Sequence, residues 1–211
     1  MTYYDIHTHR LPANADVIAI ISGGINIDFQ PNVYYSAGIH PWYADKEALP
    51  SLRSYAGHPG VVAIGEVGLD KLAATPWALQ KEVFAAQALL AVELKKPLII
   101  HCVKAWDELI AIRKTCSPDS DIPWIIHGFR GNSELAGQLL RQDFFLSFGL
   151  LFQPDAARAA YKAHRLFAET DEKDILINTV FAALSSAISV SEADLSHEIL
   201  ENLCAWPHRF V

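Results

Sequence analysis

The sequence predicts an α/β fold of the TIM (β/α)8 type, a barrel with abbreviated early helices. Eight short apolar runs, rich in β-branched and aromatic residues, punctuate the chain. Helical patterns separate the later runs, and such alternation argues for βα units around a parallel sheet. The earliest connections are too short for packing helices, since only residues 10–16 separate the first two runs and residues 22–32 the next two.

In order, the predicted strands are Thr2–His7, Val17–Ile21, Val33–Gly38, Val61–Glu66, Pro97–His101, Trp124–His127, Phe144–Phe148 and Leu166–Thr170. Several are nearly continuous apolar stretches, as parallel strands buried on both faces require. Thr75-Pro76 reads as an N-cap and first-turn pair. Behind it Leu79, Val83, Phe84, Gln87, Leu90 and Leu94 recur at helical spacing. Trp106 opens the next helical pattern, Ser133 is placed as the cap of another, and Pro154 begins a third. The C-terminal stretch from Asn178 reads as helical, with Ser191 capping Glu192–Leu203. Residues 1–211 are expected to form one domain.

Hydrophobic residues make up 51% of the chain and charged ones 19%, enough apolar material for a sizeable core and too little charge for disorder. No apolar run reaches the ~18 residues a membrane span needs. The first residues lack the basic and apolar regions of a signal peptide. Cys102, Cys116 and Cys204 are odd in number and widely spaced, which points to reduced thiols in a cytoplasmic protein. The net charge is -7 with no basic run, so the phosphate-neutralising face of a duplex-DNA binder is not visible in the sequence. Bound cations would allow such an acidic chain to hold a phosphate ester.

The ends of the predicted strands carry the chemistry. The first ends in Asp-Ile-His-Thr-His, and strand alternation turns His7 and His9 to one side. The fourth places Glu66, the fifth His101, the sixth His127 and the eighth Asp171. In a barrel these carboxyl ends share one face, where active sites sit. Ionised carboxylates gathered there repel each other unless cations neutralise them. A mixed nitrogen and oxygen set suits Mg, Mn, Fe, Co or Zn better than thiophilic metals. Six ligands suit two divalent ions sharing a carboxylate, at the spacing of about 3.5–4 Å found in two-metal hydrolases.

The segments DIHTH, AGIHPW, AIGEVGLD, LQKEVFAAQALLAVELKKPLIIHC, IIHGFRGN and ETD, in this order across most of residues 1–175, resemble the TatD family of metal-dependent hydrolases in the amidohydrolase-like superfamily. The resemblance implies a TIM-like barrel and divalent-metal phosphodiesterase chemistry, commonly deoxyribonuclease activity on DNA. It implies a first metal at His7, His9, Glu66 and Asp171, with Glu66 bridging to a second metal at His101 and His127. Asp171 and Glu66 are then the catalytic pair, Asp171 also handling the proton of the attacking water. The chain departs from the family pattern in three places. Glu172-Lys173-Asp174 follows ETD in place of Ala-Pro-Tyr, Val103-Lys104 replaces the Arg after the fifth-strand His, and the loop after ETD is short. The alternatives to a phosphodiesterase are hydrolysis of another ester or an amide, acting on a small phosphoester or acyl substrate, or a metal-loaded barrel without catalysis. Neither a membrane nor an obligate protein partner is implied.

Further residues carry two readings each. His40 is a candidate contact to a substrate phosphate, or a turn histidine beside Pro41 and Trp42. Lys104 and Arg130 are candidate phosphate contacts, or solvated loop charges. Asp5 and Asp70 are candidate supports for ligand imidazoles, or local strand and turn hydrogen bonders. Glu169 either bonds a ligand or lines the interior. Trp42 either stacks a base or packs. Cys102 is read as a packed thiol, and His58, His164, His197 and His208 as surface residues.

Overall fold

A computed structural model describes residues 1–12, 14–117 and 122–207. His208 falls outside the described residues. Eight strands form one sheet in chain order: β1 (Tyr3–Thr8), β2 (Val17–Ser22), β3 (Tyr34–Ala37), β4 (Val61–Asp70), β5 (Leu98–Val103), β6 (Trp124–Ile126), β7 (Phe144–Phe148) and β8 (Leu166–Ala168). The chain just past β8 bridges back to β1 in parallel through Thr8 and Asp171. Sequential parallel order with joined end strands is the topology of a TIM-type (β/α)8 barrel. Seven α-helices are described: α1 (Leu49–Ala56), α2 (Trp77–Leu94), α3 (Trp106–Cys116), α4 (Ser133–Leu140), α5 (Pro154–Lys162), α6 (Ile177–Ile188) and α7 (Glu192–Cys204). Among the described residues no helix separates β1 from β2 or β2 from β3, as the short connections predict. Among the described residues no helix is long and apolar enough to cross a membrane.

The chain divides into two compact units, Met1–Ile21 with Ile125–Val211, and Ser22–Trp124. In the first unit, Phe144, Leu146, Phe148, Leu166 and Phe167 are fully buried in β7 and β8. Covering helix α5 presents Ala156, Ala157 and Ala160 inward, so its backbone packs close. Tyr3 of β1 meets Phe181 of α6 edge to face at 5.0 Å. A bulge interrupts β1, where the span from Asp5 to Thr8 faces only Ala19 to Ile21 of β2. Strict alternation therefore fails around His7, inside the bulge. Asp5 is tied across to the chain after β8, its two carboxylate oxygens accepting from the Thr170 amide (3.1 Å) and hydroxyl (2.6 Å).

In the second unit β4 is central. Val83, Phe84, Ala88 and Ala91 of α2 are buried, and Phe84 meets Trp124 edge to face at 5.9 Å. Val83 and Phe84 each contribute roughly 1.5–3 kcal/mol by leaving water, and the two alanines less. A second bulge falls between Ile64 and Val67, where three steps of β4 oppose two of β5. Glu66 sits within that bulge.

Two caps differ from the sequence reading. Asn132, not Ser133, caps α4, its side chain accepting from the Leu135 amide at 2.9 Å. Thr75 does not cap α2; its hydroxyl donates to the Trp42 carbonyl instead. Ser191 caps α7 in a full capping box with Asp194, as predicted.

Candidate metal centres

In the first unit three strand ends supply imidazoles and a carboxylate. His7 lies on β1, His9 just past it, His127 one residue past β6 and Asp171 three residues past β8. His7 Nε2 and His9 Nε2 approach the same oxygen, Asp171 Oδ1, at 3.6 and 3.7 Å. The His7 and His127 rings lie 4.4 Å apart. His7, His127 and Asp171 each offer a donor atom within 4.8 Å of the others. The backbone sets this convergence. Asp171 stands at φ +57, its amide donates to the His7 carbonyl (2.9 Å), and its carbonyl accepts from the His9 amide (3.3 Å). One residue is thereby clamped between the two histidines of β1.

Glu169 supports the cluster from behind. It is fully buried, and its Oε1 accepts from the Gly128 amide at 2.6 Å and faces His127 Nδ1 at 3.4 Å. A proton on Nδ1 leaves Nε2 as the donor atom, the arrangement in which a carboxylate orients a metal-binding imidazole. Glu169 Oε2 is buried with no hydrogen bond among the described residues. A buried carboxylate so placed is costly without a nearby cation.

In the second unit the cluster is built from polar contacts, nearly all between side chains, that close on themselves. The Trp42 amide donates to His40 Nδ1 (3.2 Å), and His40 Nε2 meets Glu66 Oε1 at 3.1 Å. The same oxygen meets His101 Nδ1 at 3.1 Å. His101 Nε2 meets Asp70 Oδ2 at 3.2 Å, and Trp42 Nε1 donates to that Oδ2 at 2.6 Å. Because His40 Nδ1 accepts, its proton belongs on Nε2, which makes His40 a hydrogen-bond donor toward Glu66. Burial pushes the Asp70 carboxyl up, but donors from Trp42, Leu72 and His101 outweigh it and hold the group below its ordinary value. Asp70 thus stays ionised and accepts a hydrogen bond from His101 Nε2–H, which leaves the Nδ1 lone pair facing Glu66 Oε1, two acceptors that a cation would reconcile.

Two buried glutamines of α2 fix the strand ends beneath this circuit. Gln87 accepts from the Ile39 amide (2.7 Å) and donates to the Ile39 carbonyl (3.1 Å). Gln80 accepts from the Asp70 amide (2.9 Å) and donates to the Asp70 carbonyl (3.1 Å). Gly68 of β4 pairs with His101 of β5 at φ +139, and a Cβ there would lie 2.0 Å from the His101 carbonyl oxygen. Only glycine permits that approach.

The sequence-predicted residues fall as follows. His7, His9, His127 and Asp171 are brought together in one unit. Glu66, His101 and His40 are brought together in the other, each offering a donor atom within 4.8 Å of the others. Lys104 is exposed at φ +55 just past β5, and Arg130 is exposed after β6. Asp5 bonds Thr170 rather than a ligand imidazole. Sequence reasoning missed the roles of Gln80 and Gln87. Their signal was two polar side chains seven residues apart on the face of α2 that also buries Val83 and Phe84. A cavity of about 150 Å³ lies within the first unit, lined by Asp5, Thr8, Arg10, Lys173 and Leu176 among others. It adjoins the helix-free β1–β2 connection and includes none of the imidazoles.

The donor sets fit divalent ions: neutral imidazoles with carboxylates, no thiolate, and an orphaned buried carboxylate oxygen beside one set. The model of the TatD related DNase family matches residues 7–205. The chain belongs to this family. An uncharacterized metal-dependent hydrolase of Bacillus subtilis, YabD, is 34% identical over 151 residues, covering 70% of this chain and 58% of that protein. A 3'-5' ssDNA/RNA exonuclease TatD of Rahnella sp. is 36% identical over 131 residues, covering 58% of this chain and 46% of its own length. The chain thus spans about half the length of these two curated relatives. Among solved structures, the TatD homologue YJJV of Escherichia coli K12 shares the fold at TM-score 0.78 and 21% identity, over 97% of both chains.

Proposed function

We propose that this TatD-related chain is a divalent-metal-dependent phosphodiesterase that releases nucleotides from single-stranded DNA or RNA. The observation that carries this reading is the pair of imidazole–carboxylate clusters at strand ends, one in each unit. His7, His9 and Asp171, with His127 beside them, would hold one ion, and Glu66 with His101 the other. Mg, Mn or Zn suits these donors. Bound there, such ions supply Lewis-acid stabilisation of phosphoryl charge and lower the pKa of water.

The chain's own groups do the rest. Asp171 accepts a proton from the attacking water. With Glu66 engaged by an ion, His40 turns its Nε2–H from Glu66 to donate a hydrogen bond to a phosphate oxygen, the role its accepting Nδ1 leaves to it. Asp70 and Glu169 hold His101 and His127 in the tautomers that present the metal-binding nitrogens. Lys104 and Arg130 are proposed contacts to flanking phosphates. The name of one relative, the 3'-5' ssDNA/RNA exonuclease TatD of Rahnella sp., supports the substrate class.

The test is nucleotide release from a short single-stranded oligonucleotide with Mn or Mg, comparing wild type with Asp171→Asn. Loss of general-base action predicts a fall of about 10²–10⁴-fold in the variant. Full activity in Asp171→Asn would overturn the role of that carboxylate. A wild type that binds Mn yet releases nothing would overturn the nuclease reading. The net charge of -7 favours a second reading, an acyl or small phosphoester substrate, which a panel of aryl esters and lactones would then reveal.

A further inference from the structure

We propose that Trp42 is a fixed platform on which a nucleobase of the substrate strand stacks, next to the His40–Glu66–His101 cluster. The inference rests on the phosphodiesterase reading and deepens it by naming a base contact. Three observations carry it.

First, Trp42 is immobilised at three points. Its indole Nε1 donates to Asp70 Oδ2 at 2.6 Å, its amide to His40 Nδ1 at 3.2 Å, and its carbonyl accepts from the Thr75 hydroxyl at 2.6 Å. The ring therefore loses little freedom when a ligand arrives, and such preorganisation favours binding.

Second, the immobilised ring is half exposed. Trp42 has 53% of its surface open, and its neighbour Tyr43 has 74%. Tryptophan is highly buried on average, so a ring this open stands apart. Trp77 shows the contrast, with Lys71 Nζ at 5.4 Å and Lys81 Nζ at 5.9 Å from its ring. Among the described residues no cation is placed over Trp42. Leu72, 68% exposed, is anchored to the same carboxylate through its amide, so the surface around Asp70 is apolar.

Third, the ring adjoins the groups assigned to the phosphate. The Trp42 ring lies 5.0 Å from that of His40 and 6.1 Å from that of His101, centroid to centroid. In a nucleotide the base stands one sugar away from its phosphate. A phosphate held at His40 would therefore bring a base within reach of the indole. Base–aromatic stacking is strong and indifferent to sequence. It would let an acidic chain hold single strands without a basic groove, and a paired base could not offer its face in this way.

The experiment measures binding of Mn-loaded protein to a fluorescein-labelled, phosphorothioate-linked oligothymidine. The comparison strand has the same backbone with its terminal bases removed. Wild type is expected to bind the base-bearing strand about tenfold more tightly than the abasic one. Trp42→Ala should lose that preference, and Trp42→Phe, which keeps a ring but not the indole donor to Asp70, should retain part of it. Thermal melting of both variants shows that each is folded. Equal binding of the two strands by wild type, or an undiminished preference in folded Trp42→Ala, overturns the platform. Cleavage of ordinary single strands would in that case continue, leaving the phosphodiesterase reading intact. A wild type that neither binds nor cleaves either strand while hydrolysing acyl esters overturns the phosphodiesterase reading, and the platform with it.

Discussion

The two candidate metal clusters use the same side-chain types and are held by different means. In the first unit the backbone does the positioning: Asp171 is clamped by main-chain hydrogen bonds to His7 and His9. In the second, a circuit of side chains runs from Trp42 through Asp70, His101 and Glu66 to His40, with two glutamines fixing the strands below. A backbone clamp is set by strand register and tolerates changes of nearby side chains. A side-chain circuit fails when any one member changes its donors and acceptors. The first cluster should therefore be sensitive to whatever alters the join of β1 to the chain after β8, and the second to single polar substitutions.

The join in the first unit carries the largest expected effect. Burial pushes the Asp5 carboxyl from 3.8 up to about 7, against the lowering pull of the Thr170 hydroxyl and amide. A raised acid is more protonated in the folded chain than in the unfolded one. Its stabilising contribution is complete below pH 3.8 and declines as pH rises to about 7. A span of about three pH units corresponds to at most roughly 4 kcal/mol. Metal-free protein should therefore melt at a lower temperature at pH 8 than at pH 5. Asp5→Asn, which still accepts from the Thr170 amide, should flatten that dependence. A variant with the wild-type slope would remove Asp5 from the explanation.

Gly68 comes next and tests the second unit. The added methyl of Gly68→Ala would meet the His101 carbonyl at 2.0 Å, at a φ that side-chain-bearing residues rarely adopt. A loss of about 3 kcal/mol in urea unfolding is expected, with weakened Mn binding because His101 moves. A stable variant with normal Mn affinity would show that β4 and β5 separate more easily than their register implies.

The candidate ligands were legible in the sequence for a reason that spares their supports. Each of His7, His101, His127 and Asp171 ends or follows an apolar strand, and a charged or imidazole side chain there stands out against the run before it. Strand positions were legible because fully buried parallel strands need continuous apolar runs, and Phe144–Phe148 is placed identically by both. The missing early helices followed from connection length alone. The supports do not announce themselves. Gln87 reads as one more position on a helical stripe, and only the fold puts the Ile39 backbone beneath it. Bulges in β1 and β4 break the period-two rule where the ligands begin, so facing cannot be counted from the strand start. Asn132 and Ser133 are adjacent and equally good caps, and the choice belongs to the entering backbone.

Gln87→Leu is the third test. It leaves the buried Ile39 amide and carbonyl without side-chain partners, one residue before His40. Unmade buried hydrogen bonds of this kind cost about 2 kcal/mol. The loss should appear in urea unfolding together with a raised KM, because the displaced group is the proposed phosphate contact. Loss of stability with unchanged KM would mean that His40 is positioned by the Trp42 amide alone.

The smallest effect comes from one chemical change made in both units. Asp70 uses both oxygens as acceptors, Oδ1 from the Leu72 amide and Oδ2 from Trp42 and His101. In Asp70→Asn one of those positions becomes an NH2 group facing a donor, whichever way the amide turns. Mn affinity should fall about tenfold, the scale of lost outer-shell support. Glu169 uses only Oε1, toward the Gly128 amide and His127, and Oε2 makes no hydrogen bond among the described residues. Glu169→Gln can keep its oxygen on that side and turn the NH2 away without opposing any donor. Its Mn affinity, measured by calorimetry beside Asp70→Asn, should stay close to wild type. Equal losses in the two variants would mean that both clusters depend on carboxylate charge rather than on hydrogen-bond geometry, and the contrast between a backbone clamp and a side-chain circuit would no longer separate them.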